Sequence, residues 1–261
     1  MPNKLQKTSD VIFFLKAIRL RDWFYLLGIP LLPYLQKYEL NYHWHFFSIL
    51  LFGSLYLSWG YLFNNVFDIN EDNIKKNVLS KTKEQKKWFF LALGTFSILL
   101  VYSLLVSLKL FCLCILIFIL NFMYSVPPLR LKENWLTSLL INGVIFTSLY
   151  LGASFIINYN FDMWFAGVIF FLFLVLQAIH ELEHYVTKKR RLSVYLFFPF
   201  FIICGFFVNP IFGFLNIIYF ILFVFVKEYL YKNKTFHFLR RKIRHISMAY
   251  GLLLCILIVL L

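Results

Sequence analysis

The amino-acid sequence predicts an all-α protein that crosses a membrane many times, and three observations support this prediction. Hydrophobic residues make up 61% of the 261 residues and aromatic residues 21%, whereas soluble domains contain about 45–50% apolar residues. The apolar residues are grouped in runs long enough for membrane-spanning helices, which need roughly 20 residues each. The cations lie in short segments between these runs. The mean hydropathy of +0.76 agrees with this class.

Nine apolar runs are predicted to be transmembrane helices. They cover residues 11–36, 44–66, 88–107, 109–125, 135–157, 162–182, 192–208, 210–226 and 243–261. Lys16, Arg19 and Arg21 interrupt the first run and no small-residue cleavage site follows it, so we expect a retained helix rather than a signal peptide. Only Asn209 and Pro210 separate the seventh and eighth runs, which predicts a tight hairpin.

The distribution of cations predicts the orientation of the helices. Most cations lie in the loops after even-numbered helices: 67–87, 126–134, 183–191 and 227–242. The alternate loops contain only Lys37 and Lys109. Because cytoplasmic loops are enriched in Lys and Arg, we expect a cytoplasmic N-terminus and an outer C-terminus. The net charge of +14 is then a topology signal, and no nucleic-acid partner is expected, since that requires a basic face on a soluble fold.

A first polar cluster ends the second predicted helix, in the sequence YLFNNVFDINEDN. On a helix Asn64, Asp68 and Asp72 form an i, i+4 ridge, and Asn65 shares a face with the two acids. Glu71 belongs to the same cluster. Oxygen ligands at such spacing suit Mg²⁺, which commonly completes its coordination with water and substrate phosphates. The alternative interpretation is a solvated helix end with ordinary capping groups.

Basic residues follow this cluster at the same predicted membrane face. Lysines are frequent between residues 75 and 87, and the fourth helix ends in NFMYSVPPLRLK, which contains Tyr124, Arg130 and Lys132. Pro127-Pro128 forces the chain out of the helix there. Phosphate oxygens need such cations when a metal neutralises only part of their charge. The alternative is that these residues only determine topology.

A second polar cluster, HELEH, ends the sixth predicted helix. It matches H-E-x-x-H, which on a helix places His180 and His184 on one face for zinc, with Glu181 as general base. By itself this pattern indicates a membrane zinc protease. Against that, Glu183 stands where a buried zinc helix favours an apolar residue. Candidate third ligands lie in or beside a basic loop: Glu228, His237 and His245.

Together these segments resemble the UbiA superfamily of intramembrane prenyltransferases. NNVFDINED is similar to the first aspartate-rich signature of that family, N-D-x-x-D-x-x-x-D, and YSVPPLRLK to its Tyr-Ser-x-Pro-Pro-x-Arg-x-Lys segment. HELEHYVTKKR occupies the place of the second signature, roughly D-x-x-D-x-x-x-D. The resemblance implies one UbiA-type domain over residues 1–261, with nine transmembrane helices around a central lipid-facing cavity and both signatures at the cytoplasmic side.

The resemblance also implies a function. A Mg²⁺-dependent prenyltransferase moves a polyprenyl group from its diphosphate to an acceptor within the membrane, through an allylic carbocation. Metal and cations stabilise the departing diphosphate, while apolar walls exclude water. The expected partners are a prenyl diphosphate, an acceptor that the sequence does not identify, and membrane lipid.

Position by position, the resemblance implies roles for individual residues. The metal ligands would be Asn64, Asp68, Asp72 and Glu181, of which the three acids are the catalytic candidates. The diphosphate-binding residues would be Asn64, Lys76, Tyr124, Arg130, Lys132 and Lys188. Asn65 stands where the family has Asp, and His184 and Lys188 stand where it has further aspartates. The residues without an assigned role in the two clusters are Asn65, Glu71, His180 and His184.

Three alternative functions remain open. A terpene cyclase of the same fold would capture the carbocation within its own chain and would need no acceptor. A non-catalytic, lipid-binding UbiA-like protein is consistent with the exchange of acids for His and Lys in the second signature. The third alternative is the zinc protease, which leaves the acids at 64–72 without a role.

Overall fold

The protein is all-helical in its computed structural model, which describes residues 10–39, 41–71, 77–82, 84–184, 188–232 and 239–261, with side chains except at 10, 11, 81, 180–184, 188–194, 231–232 and 239–241. In chain order the helices are α1 (Asp10–Ala17), α2 (Leu20–Trp23), α3 (Gly28–Tyr38), α4 (His45–Phe67), α5 (Gln85–Val106), α6 (Leu108–Ser125), α7 (Trp135–Ile156), α8 (Met163–His184), α9 (Lys188–Val208), α10 (Pro210–Lys232) and α11 (Leu239–Leu260). Short 3₁₀ segments cover Phe24–Leu27, Val78–Lys81 and Leu131–Glu133. These ranges contain no strand, which confirms the predicted all-α class.

Six helices in the described ranges are long and apolar enough to cross a membrane, namely α4, α5, α6, α7, α10 and α11. The apolar stretches Met163–Ile179 in α8 and Tyr195–Val208 in α9 are shorter. Helices α4 to α11 coincide with the second to ninth predicted runs. The single residue Asn209 joins α9 to α10, which confirms the predicted hairpin. The predicted count of nine membrane-spanning helices is not confirmed.

The first predicted helix, over residues 11–36, is broken into the short helices α1, α2 and α3 with a 3₁₀ turn among them. The break lies at Arg19, whose φ of 55° is left-handed. An L-residue in that conformation does not continue an α-helix. Arg19 pairs with Asp22, with nitrogen and oxygen 2.7 Å apart. The prediction of one continuous helix here is therefore wrong, and the cations that interrupt the apolar run mark the break.

Two compact units make up the chain. Unit 1 consists of Met1–Leu27 and Leu50–Arg130, and unit 2 consists of Gly28–Ile49 and Leu131–Leu261. Unit 1 therefore carries the first signature and most of α4, whereas unit 2 carries the second signature. The single domain over residues 1–261 stays a prediction.

Unit 1 has an aromatic core in which α4, α5 and α6 meet. The ring centre of Trp59 in α4 lies 4.7 Å from the ring centre of Phe96 in α5. It lies 6.0 Å from the ring centre of Phe118 in α6. Trp59 is fully buried. Large buried aromatic side chains contribute much of the stability of a core. This packing holds α4 in a defined position, and with it the polar residues at its C-terminal end.

Unit 2 is held together partly by neutral polar groups inside its helices. Asn216 in α10 donates from Nδ2 to the carbonyl oxygen of Phe201 in α9, at 2.7 Å. Its Oδ1 accepts a hydrogen bond from the hydroxyl of Tyr250 in α11, at 2.6 Å. A Cβ atom at Gly205 would meet Asn216 Nδ2 at 2.4 Å. The close approach of α9 and α10 therefore requires glycine at that position.

Candidate functional site

The first signature lies at the C-terminal end of α4, which is in unit 1. The helix ends at Phe67, and the backbone N–H of Asp68 still donates to the carbonyl oxygen of Asn64, at 3.0 Å. The chain then turns, because the N–H of Glu71 donates to the carbonyl oxygen of Asp68 at 3.1 Å. The helical ridge expected from Asn64 to Asp72 therefore stops at Asp68. Asp72 itself, like Lys76, lies outside the described residues.

Within unit 1, the cation Arg130 lies beside this end of α4. Its Nη2 lies 3.4 Å from Asp68 Oδ1, and its Nη1 contacts Glu71 Oε1. The side chains of Arg130 and Asp68 are only 17% and 19% exposed, so water screens their attraction less than it would at an open surface. Arg130 follows Pro127-Pro128 at the end of α6 and has a left-handed φ of 36°. Two acids and one cation that the sequence singled out are thus in contact.

Asn64 is held by a residue that sequence reasoning did not single out. The hydroxyl of Ser125, the last residue of α6, donates to Asn64 Oδ1. Ser125 is fully buried. Its neighbour Tyr124 is half-buried in the same last helical turn. The only sequence signal for Ser125 was its place inside YSVPPLRLK, because spacing alone does not relate residues on different helices.

Asn65 has a structural role that the sequence did not indicate. Its Nδ2 donates to the backbone carbonyl oxygen of Ala17 at 2.7 Å. Its own backbone carbonyl oxygen accepts a hydrogen bond from Asn77 Nδ2, also at 2.7 Å. Both asparagine side chains are buried, at 2% and 0% exposure. Asn65 therefore fastens α1 and the segment before α5 to α4. This placement explains how an amide occupies a position where the family signature has an acid.

A second cation, Arg19, approaches α4 one turn before the polar cluster. Its guanidinium carbon lies 5.4 Å from the centre of the Tyr61 ring, and its side chain also pairs with Asp22. Cations at this distance from an aromatic face are attracted to it. The sequence presented Arg19 only as an interruption of an apolar run, because its position beside Tyr61 depends on the fold of unit 1.

The second signature lies in unit 2 at the end of α8. The backbone there is helical through His184, and α9 begins at Lys188. The side chains of the predicted site residues lie outside the described part of the chain: His180, Glu181, His184 and Lys188. Lys132, another predicted diphosphate ligand, lies in the 3₁₀ segment Leu131–Glu133 of unit 2.

The described part of α8 carries a polar contact one turn before Glu181. Gln177 Nε2 donates to the hydroxyl of Ser138 in α7, at 3.3 Å. The carbonyl oxygen of Ser138 accepts from Asn142 Nδ2 at 2.8 Å. Polar side chains that bridge helices inside a membrane help to set the position of one helix against the next. The contact between Gln177 and Ser138 therefore helps to fix the end of α8 that bears the second signature, and the sequence did not indicate it.

The donor atoms in unit 1 fit the expected magnesium ion. Asn64 and Asp68 offer amide and carboxylate oxygen one helical turn apart, and Mg²⁺ takes oxygen ligands and keeps several waters. Two such ligands are the usual protein share of a Mg²⁺ site that also binds substrate phosphates. Within the described ranges no three His, Cys, Asp or Glu side chains are grouped to hold a metal. The other predicted ligands, Asp72 and Glu181, have side chains beyond those ranges.

The zinc-protease hypothesis receives no support from its candidate third ligands. Glu228 pairs with Lys227, whose Nζ lies 2.9 Å from Glu228 Oε1. His245 is exposed on α11, and His237 lies outside the described residues. A zinc site needs its protein ligands to converge on one point.

The helical arrangement is similar to that of solved UbiA homologs. A UbiA homolog from Archaeoglobus fulgidus bound to DMAPP and Mg²⁺ matches with a TM-score of 0.70 at 13% identity, over 93% of this chain and 98% of that chain. A UbiA homolog from Archaeoglobus fulgidus bound to GPP and Mg²⁺ matches with a TM-score of 0.70 at 15% identity, over 93% and 99%. At these identities the likeness concerns the fold.

A sequence relative is also known among characterised proteins. The 2-acyl-4-prenylphloroglucinol 6-prenyltransferase, chloroplastic, of Humulus lupulus is 35% identical over 101 residues. The matched region is 37% of this chain and 24% of that protein. The likeness therefore covers about a quarter of the plant protein's length.

The sequence profile of the UbiA prenyltransferase family matches residues 23–227. This range includes both polar clusters and the segment YSVPPLRLK, so HELEH is part of the same match. It also includes all of α4, α5, α6 and α7 and most of α10, out of the six described helices that are long and apolar enough to cross a membrane. The chain is an integral membrane protein and belongs to the UbiA prenyltransferase family.

Proposed function

We propose that the protein transfers a prenyl group from a polyprenyl diphosphate to an acceptor within the membrane. The observation that carries the proposal is the contact of Asp68 and Glu71 with Arg130 at the end of a membrane helix. A site for a metal-bound diphosphate needs carboxylates for the metal and a cation for the phosphate oxygens. This end of α4 has both.

Arg130 is the proposed ligand of the diphosphate. A guanidinium binds phosphate through two parallel hydrogen bonds, which gives geometric specificity as well as attraction. Asp68 and Glu71 both contact this guanidinium, so the two acids help to position the cation. Tyr124, Lys76, Lys132 and Lys188 are further proposed diphosphate ligands.

Asn64, Asp68, Asp72 and Glu181 are the proposed holders of Mg²⁺. The ion, when bound, neutralises part of the diphosphate charge and so favours its departure. Ser125 is a proposed positioning residue, because its hydrogen bond orients the amide oxygen of Asn64. Asn65 has no proposed part in metal binding, since its side chain is only 2% exposed and is directed to the backbone of α1.

The comparisons support a prenyl diphosphate as the donor. The solved UbiA homologs with this fold hold DMAPP or GPP together with Mg²⁺, and the plant relative is a prenyltransferase. A prenyl diphosphate has two parts that suit this protein. Its anionic head suits Arg130 and a metal ion held by Asp68, and its apolar tail suits a membrane interior.

The proposal is tested by following diphosphate release from purified, membrane-reconstituted protein. Prenyl diphosphates of five, ten, fifteen and twenty carbons are supplied with Mg²⁺ or with EDTA, with and without candidate acceptors, and organic products are identified by mass spectrometry. Asp68→Asn removes a proposed metal ligand with little change in size. Glu84→Gln is the matched control, because Glu84 is exposed and pairs with the exposed Lys87 at 3.3 Å.

Prenyl transfer predicts release that requires Mg²⁺ and an acceptor and that is lost in Asp68→Asn but kept in Glu84→Gln. Release without an acceptor, with a cyclic product, would instead assign a terpene cyclase. If no diphosphate is consumed with any chain length and acceptor tried, the non-catalytic, lipid-binding alternative is favoured. Activity that survives in Asp68→Asn contradicts the metal assignment.

A further inference from the structure

Two histidines and a tyrosine meet where α3 ends and α4 begins, within unit 2. Tyr38 is the last residue of α3, His45 is the first residue of α4, and His43 lies in the short link between them. All three side chains are half-buried. The topology predicted from the cations places this link on the side of the membrane opposite to the two signatures. The cluster shares no residue with the proposed diphosphate site.

The ring nitrogens of the two histidines face each other. His43 Nδ1 and His45 Nδ1 are 2.5 Å apart, and the rings are within 9° of parallel. The Tyr38 hydroxyl lies 3.2 Å from the same His45 Nδ1. His43 Nδ1 also lies 3.4 Å from the backbone N–H of His45, which donates to it. His43 Nδ1 therefore presents a lone pair, which can accept a hydrogen bond from His45 Nδ1 or bind a cation.

Backbone contacts hold the histidines in place. The hydroxyl of Tyr34 donates to the carbonyl oxygen of Asn41 at 2.7 Å and accepts the backbone N–H of His43 at 2.8 Å. The N–H of Phe46 donates to the carbonyl oxygen of His43 at 2.9 Å. Because these hydrogen bonds already hold the backbone at His43, a ligand that binds there does not have to fix it. Preorganisation of this kind favours binding.

We propose that His43, His45 and Tyr38 form a binding site for a divalent transition-metal ion of the zinc class. Imidazole nitrogen is a preferred ligand for such ions, and Zn–N distances are about 2.0–2.1 Å. Two ligands of a tetrahedral ion are then about 3.3 Å apart. The separation of Tyr38 from His45 already matches this value, and the two histidine nitrogens reach it by moving apart by about 0.8 Å.

The alternative reading is an aromatic cluster at the membrane–water boundary, where Tyr and Trp are enriched. Trp44, which stacks on His45 at a ring distance of 4.0 Å, suits that reading. A boundary cluster needs neither the convergence of ring nitrogens nor a metal. Metal uptake therefore separates the two readings.

The test measures metal uptake by tag-free protein purified in detergent. The protein is stripped with EDTA, incubated with Zn²⁺, desalted, and its zinc content is measured by mass spectrometry. Co²⁺ serves as a second probe, because its visible absorption reports a tetrahedral site with nitrogen ligands. The variants are His43→Gln and His45→Gln, and the matched control is His245→Gln, an exposed histidine of α11.

One zinc ion per chain is expected in the wild-type protein and in His245→Gln, with loss of at least about tenfold in affinity in either link variant, since each removes one of the three ligands. Tyr38→Phe is expected to weaken binding less. Equal uptake by wild type and the double variant His43→Gln/His45→Gln overturns the proposal, as does equal loss in His245→Gln. Thermal unfolding of each variant verifies that it is folded, and release of diphosphate is expected to stay unchanged in all of them.

Discussion

The polar groups at the end of α4 and those between α9, α10 and α11 differ in charge and in exposure. Asn216 and Tyr250 are neutral, buried at 0% and 3% exposure, and joined so that both polar atoms of the amide have partners. Asp68, Glu71 and Arg130 are charged, and Glu71 is 49% exposed. Both groups lie in or beside membrane helices, but only the charged group at the end of α4 has a member that is about half exposed.

This difference separates stability from function. A buried neutral network stabilises the fold as long as every member is satisfied, and the loss of one member leaves a desolvated partner. A partly exposed ion pair contributes little to stability, so a ligand can replace such a contact at little cost to the fold. We therefore expect substitutions at α4 to change activity and substitutions in the α9–α11 network to change the unfolding temperature.

The largest effect on activity is expected for Arg130→Lys. Lysine keeps the charge but loses the fork of donors that binds two phosphate oxygens. The loss of one charge-assisted hydrogen bond, about 1.5–3 kcal/mol, corresponds to a roughly 10- to 100-fold fall in kcat/KM. The measurement is diphosphate release against donor concentration, with Lys87→Arg at an exposed pair as the control. An unchanged kcat/KM would contradict the assignment of Arg130.

Asn65→Asp tests the difference between the two kinds of polar group within α4 itself. The substitution restores the acid of the family signature, but it removes the donor to the Ala17 carbonyl oxygen and buries a charge beside it. We expect destabilisation of more than about 2 kcal/mol, read as a lower unfolding temperature. Asn70→Asp, at an exposed position of the following turn, is the control. If the Asn65→Asp protein is stable and needs a lower Mg²⁺ concentration for half-maximal activity, position 65 belongs to the metal site.

Tyr250→Phe is expected to act on stability alone. It leaves Asn216 Oδ1 buried without its hydrogen-bond donor, which costs about 1–3 kcal/mol. The unfolding temperature should fall, whereas kcat/KM of the folded fraction should not change. Tyr42→Phe, at a residue that is 75% exposed, should leave both unchanged. A loss of activity without a loss of stability would remove the distinction drawn between the two regions.

The smallest effect is expected for Glu71→Gln. Glu71 is the most exposed member of the cluster, so its attraction to Arg130 is the best screened of the contacts there. We expect less than about 1 kcal/mol in stability and less than about a fivefold change in KM for the donor. If Glu71→Gln instead abolishes diphosphate release, the cluster acts as a unit in which both acids are required.

Most of the helices could be predicted because their signal is local. An apolar run of roughly 20 residues spans a membrane whatever its neighbours are, and α4 to α11 follow the predicted runs. The position of the break at Arg19 could not be predicted from the sequence. One left-handed residue ends the helix there, and Asp22, three residues later, pairs with it. Such a conformation depends on contacts with other parts of unit 1, including the one between Ala17 and Asn65.

The site was only partly readable from the sequence. Asp68 and Arg130 were singled out because clustered acids suit a metal ion, because cations suit phosphate, and because their segments resemble a family. Their contact joins residues 62 positions apart, and spacing along the chain does not reveal such a pair. Ser125 and Asn77 carry no charge and no motif of their own, so their buried hydrogen bonds became visible only in the folded chain.

The sequence by itself determined the all-helical membrane class, the ends of the helices where the polar clusters lie, and the resemblance to the UbiA superfamily. These follow from the cost of placing backbone and charge in lipid, which every segment meets separately. The tertiary structure decided which polar residues join helices through buried hydrogen bonds and which lie beside Arg130. Asn64 and Asn65 are neighbours of the same type, but the turn of the helix directs one to Ser125 and the other to the carbonyl oxygen of Ala17.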